Sequence, residues 1–152
     1  MNNDDKERII EQFNRSLAQK KRHGKKTEGA ANATFTLNEQ VVAENIWFER
    51  HDMDREQIII TLALPTIGMH PYGLSAGLLS YQKPFESGDF DLLENDTFHF
   101  EVFYTTQGPA EITSGNVNLE VTDQEIKGRI TCKLSRDGYE LNVAMHFNVR
   151  KT

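Results

Sequence analysis

The side chains of this chain with the most chemistry to offer are dispersed. Its five histidines, His23, His51, His70, His99 and His146, form no HExxH, no HxH and no Cys/His group at metal spacing. His51-Asp52-Met53-Asp54 puts an imidazole and two carboxylates into one hairpin loop, but zinc needs several convergent ligands, so the stretch reads as a solvated turn. Asp89, Asp91, Glu94 and Asp96 match a calcium loop in acid density and lack its Asp-x-Asp-x-Asn/Asp-Gly order and distal Glu. There is no Gly-x-Ser-x-Gly elbow, no phosphate-cradling glycine loop before a helix and no dinucleotide fingerprint. Cys132, the only cysteine, excludes an intrachain disulfide, and its place on the apolar side of a strand reads as a buried thiol. No catalytic residue, metal site or cofactor is assigned. An enzyme remains open only as residues converging in three dimensions, with His51, His70 or His146 as candidate bases.

Charge is the more distinctive feature. The net charge of −6 and pI near 5.4 argue against general nucleic-acid affinity. Residues 84–126 carry ten acids and no Lys or Arg, whereas residues 1–26 and 127–152 each sum to +4. A solubilising, edge-protecting surface accounts for such a tract. So does a docking face for a basic protein, because a single-sign field speeds encounter and rejects wrong partners. Glu86, Asp89, Asp91, Glu94 and Asp96 are its candidate contact residues. The basic run Lys20-Lys21-Arg22-His23-Gly24-Lys25-Lys26 has no interleaved aromatic and reads as a solvated helix end with linker.

The elements that must position these groups are legible from periodicity. Ile9, Ile10, Phe13 and Leu17 fall at helical spacing, so residues 1–26 read as an amphipathic helix plus basic linker. That helix is short and must dock: in a barrel end, across a sheet edge, or against a second copy as a homodimer. Thr27 to Asn32 reads as linker, and residues 33–150 as one antiparallel β domain. Ile58-Ile59-Ile60 is continuous, as in a strand covered on both sides. Pro65 to Gly73 reads as a long loop, and Gly108-Pro109 as a turn. Strictest of all is the alternation from Ser114 to Arg150, three strands separated by Thr122–Glu125 and by an Asp137-Gly138 hairpin signal, which hides Val117, Ile130, Leu141 and Phe147 on one side. About nine short strands imply a β-sandwich or a closed β-barrel. The first residues are polar with no apolar leader, and no apolar run approaches the roughly 18 residues of a membrane span. A cytoplasmic location without membrane contact is the expectation.

Pro84-Phe85-Glu86-Ser87-Gly88-Asp89-Phe90-Asp91-Leu92, Gly115-Asn116-Val117, Ile126-Lys127-Gly128 and Phe147 resemble the G-x-aromatic-x-L, G-x-V, I-x-G, F cadence of small bacterial lipocalin-like β-barrel domains of unknown function. The resemblance covers residues 81–149 and implies the architecture only. Two binding functions follow. The first expectation is a small acidic cytoplasmic module that binds or inhibits a basic protein, by analogy of charge and size with nuclease immunity proteins. The alternative is a lipocalin-like carrier of a small apolar ligand, with Met69, His70 and Tyr72 at the pocket mouth.

Overall fold

The computed structural model describes residues 2–18, 29–35, 39–50, 55–62, 74–104, 108–136 and 138–151. In chain order the elements are α1 (Asn3–Ala18), β1 (Gly29–Phe35), β2 (Glu39–Arg50), β3 (Glu56–Leu62), β4 (Leu74–Ser80), β5 (Gly88–Asp91), β6 (Phe98–Tyr104), β7 (Gly108–Pro109), β8 (Glu111–Val121), β9 (Glu125–Arg136) and β10 (Tyr139–Arg150). The protein is mainly β with one N-terminal helix. In place of about nine short strands there are, among the described residues, eight long ones, with β5 of four residues and β7 of two. The strand β2 runs unbroken for twelve residues, and Gly108-Pro109 is an edge strand rather than a turn. Proline is tolerated there because an edge need not donate on both sides.

Neighbouring strands are antiparallel in the order β5-β8-β9-β10-β1-β2-β3-β4-β6-β7. Two sheets share β2: its first part pairs with β1, its second with β3, and the register slips between Ala43 and Asn45 where the strand passes from one sheet to the other. At the opposite corner only Ala110 separates β7 from β8, and its N–H donates to Val102 O at 2.9 Å. The ladder stops there, so of the two expected architectures, sandwich or closed barrel, the described residues form no closed barrel but two antiparallel sheets joined at their corners.

Strand β1 begins at Gly29, inside the segment read as linker. Gly29 lies opposite Val149 and Phe35 opposite Val143, so the small residues read as linker are a strand. Their intrinsic preference for extended structure is weak, and the edge of β10 overrides it. The alternation in β8, β9 and β10 produces the wet and dry faces it implies. Val117, Ile130 and Phe147 are buried in the core between the sheets, and Leu141 is half-buried against it. At the β9–β10 turn, Arg136 pairs with Tyr139 and Gly138 takes φ +82°, a left-handed conformation that glycine adopts without a Cβ clash.

Ile58 and Ile60 face that core, while Ile59 points outward into a second cluster with Trp47, Leu79 and Phe13 of α1. The helix therefore sits neither in a barrel end nor across a sheet edge; it lies on the outer face of the second sheet. Asn2 Oδ1 accepts the Asp5 N–H at 2.8 Å and caps its first turn. Ile9 packs beside Phe13, and Lys6 Nζ sits 4.8 Å from the Tyr81 ring centre. Among the described residues no helix is long and apolar enough to cross a membrane.

Candidate functional site

The acidic residues are displayed by the connector between β4 and β6. Phe85 and Leu92 sink into the core, and Phe90 and Phe85 meet Phe98 edge-on at 5.3 and 6.2 Å. With its apolar side chains turned inward, the connector turns its carboxylates out. Glu86, Asp89, Asp91, Glu94 and Asp96 are all exposed. Two Asx turns fix the tip: Asp91 Oδ1 accepts the N–H groups of Leu93 and Glu94, and Asn95 Oδ1 accepts those of Thr97 and Phe98. At that tip Leu93 is 54 % exposed, the one large hydrophobic side chain so placed among the described residues.

A buried carboxylate holds the connector's first turn. Glu56 is 1 % exposed; its Oε1 accepts the Phe85 N–H at 2.9 Å, its Oε2 the Arg50 Nε–H at 3.4 Å, and its own N–H donates to Ser80 Oγ. Nearby, burial and secondarily the charge of Asp96 push the Tyr81 phenol above its ordinary range. Nothing in the local sequence marked Glu56, because a charged residue beginning a strand after a loop ordinarily faces water.

Other candidates are dispersed. Met69, His70 and Tyr72, with His51, Asp52, Met53 and Asp54, lie outside the described residues, as does the basic run 20–26. His99, on β6, contacts Glu101 at 2.7 Å, whereas His146 is on β10 in the other sheet, so the two histidines do not meet. Cys132 is buried, and desolvation pushes its thiol up to about 12. Among the described residues no group of three or more His, Cys, Asp or Glu converges on a point that could hold a metal ion. The space between Ile58, Ile60, Ala76, Leu78, Phe100 and Ile130, inside the core, admits no water molecule.

A roomy depression lined by described side chains lies outside, over β8, β9 and β10, with a volume of about 420 Å³. Its lining includes Asn118, Glu120, Lys127, Arg129, His146 and Asn148, and its floor Gly128 and Phe147. Cross-strand register builds it: Asn118 lies opposite Arg129, Arg129 opposite His146, Glu120 opposite Lys127, and Lys127 opposite Asn148. Gly128 gives the Phe147 ring its place, since a Cβ there would come within 2.3 Å of the ring.

No protein family matches the chain, and neither the curated proteins nor the solved structures include one that resembles it.

Proposed function

We propose that the protein is a non-enzymatic binding module that docks a basic protein partner through the connector between β4 and β6. The observation that carries this reading is the connector over residues 86–96: five exposed carboxylates on the same segment as the exposed Leu93, whose tip is held by two Asx turns. A preformed tip loses little conformational freedom on binding, and an exposed apolar side chain on an acidic segment supplies contact area where the field has already steered the partner. Lys83, paired with Glu86 at 3.0 Å, is the cation at the connector's start. The tight packing around Ile58, Leu78 and Ile130 favours this outward use over carriage of an apolar ligand inside. The consecutive up-and-down order of the eight long strands is what supports a lipocalin-like kinship of architecture.

The test uses Glu94→Lys with Asp96→Lys, because Asp91 is also a turn cap and Asp89 accepts the Asn118 amide. Proteins captured from a lysate are identified for the wild type and the double variant, at ionic strengths from about 0.01 M to about 1 M. A basic protein held at low salt, released at high salt and lost from the double variant is the expected result. Capture that resists salt, or that is equal for the double variant, refutes the proposal.

A further inference from the structure

The geometry points to a second site, independent of the acidic connector: the outer groove over β8, β9 and β10 binds a small oxyanion, a phosphate or carboxylate group on a compact polar molecule. Arg129 stands at its centre. It is exposed, lines the depression, and has no hydrogen-bond or ion-pair partner among the described residues. An arginine on a sheet with neighbouring acids ordinarily finds one of them. Here its cross-strand neighbours are Asn118 on one side and His146 on the other, neither of which carries a negative charge. The nearest acid in that row, Asp89, is one strand further out and is engaged with the Asn118 amide at 2.7 Å. That bond also fixes Asn118 beside the guanidinium. Lys127 lines the groove too, held only by a 3.7 Å contact to Glu125 at the surface.

A guanidinium fork with an ammonium and an imidazole at its flanks suits an oxyanion, which accepts two parallel N–H groups from arginine and further donors around it. The volume of about 420 Å³ exceeds what an inorganic ion fills and falls in the range of small-molecule sites. Glu120, on the same lining, offers an acceptor to a hydroxyl or amino group on the rest of the molecule. The ligand class is therefore an anion that also carries hydrogen-bond donors, as sugar phosphates and amino acids do. Gly128 and Phe147 face the core beneath the groove, where the ring fills the space a Cβ at 128 would take, so backbone rather than a side chain floors the groove there.

The experiment is a titration of the ¹⁵N-labelled full chain with sodium phosphate in one arm and sodium acetate in the other, at constant ionic strength set by sodium chloride. Saturable shifts at the Arg129 Nε–H and at the backbone amides of Lys127–Arg129 and His146–Asn148 are expected. The arm that saturates at lower concentration tells a phosphate ligand from a carboxylate one. Arg129→Gln weakens the apparent affinity by about tenfold or more, the loss of a charge-assisted bidentate contact, while retaining a dispersed spectrum. Lys133→Gln, which removes an outward cation of the same strand outside the groove, leaves the affinity unchanged. Shifts that rise linearly through both arms overturn the proposal. So does an Arg129→Gln variant that titrates like the wild type, or a Lys133→Gln variant that loses as much.

Discussion

Replacing Glu56 tests whether a single buried oxygen holds the acidic connector in place. In Glu56→Ala the Phe85 N–H loses its acceptor while Phe85 itself stays 4 % exposed, so a desolvated donor is left unpaired at about 1–3 kcal/mol. Arg50 is 53 % exposed and returns to water, so the ion pair adds only about 0–1 kcal/mol. The void left by the side chain adds lost contacts, giving a total of about 2–4 kcal/mol. Glu56→Gln keeps an oxygen for Phe85 and gives up only the charge, at about 1 kcal/mol. The bond from the Glu56 N–H to Ser80 Oγ is common to both. Urea unfolding followed by tryptophan fluorescence measures the difference. With a slope of about 1–3 kcal/mol/M, Glu56→Ala lowers the midpoint by about 1–2 M at unchanged slope, and Glu56→Gln by less than half as much. Hydrogen exchange at Phe85 accelerates in Glu56→Ala alone. A midpoint for Glu56→Ala within about 0.3 M of the wild type, on the same slope, removes the carboxylate from its role. Equal losses in the two variants show that charge rather than the acceptor oxygen matters.

Gly128→Ala drives a Cβ into the Phe147 ring and costs about 1–3 kcal/mol in the same unfolding assay; a neutral result contradicts the close packing beneath the groove. Gly115→Ala meets Thr131 O, Cys132 Cβ and Leu92 Cδ1 all within 2.7 Å, and calorimetry is expected to show a comparable loss, since Leu92 also donates its N–H to Gly115 O at 3.0 Å. Phe13→Ala, at a residue 2 % exposed, removes the helix's anchor: far-UV circular dichroism loses helical signal while the sheet persists, and a wholly unfolded chain speaks against α1 as an appended layer. Cys132 holds its proton up to about pH 12 in the native protein, against 9.0 ordinarily, so above pH 9 the unfolded chain releases a proton that the folded one keeps. Stability conferred by this group therefore falls as pH rises through that window, and Cys132→Ala shows a shallower decline; equal slopes refute the assignment.

Where one face was dry and the turn was short, the strands could be read directly. The Asp-Gly signal in the sequence puts Arg136 and Tyr139 close to opposite each other, as they are, and seven steps back along each strand put Arg129 opposite His146. The groove was thus legible from register alone, whereas the density of acids in residues 84–126 is the stronger signal along the sequence. What was illegible depended on partners distant in sequence. Gly29–Phe35 has no alternation and becomes a strand only because β10 presents an edge, and Gly108-Pro109 carries turn residues yet pairs with Phe103 and Tyr104. The docking face of α1 was legible as a stripe, whereas its seat required knowing that Ile59, Trp47 and Leu79 emerge together on the far side of the second sheet.

The pairing of Gly29 with Val149 has a consequence for biosynthesis. A ribosome adding roughly 5–20 residues per second finishes Phe35 on the order of ten seconds before the strand that will flank it exists. Throughout that interval the nascent edge has hydrogen-bonding groups on offer to any neighbouring polypeptide. Its composition, Gly29-Ala30-Ala31-Asn32-Ala33, gives such a neighbour almost no apolar surface to grip. The same dearth of bulk that disguises the segment as a linker protects it from aggregation until the last strand arrives.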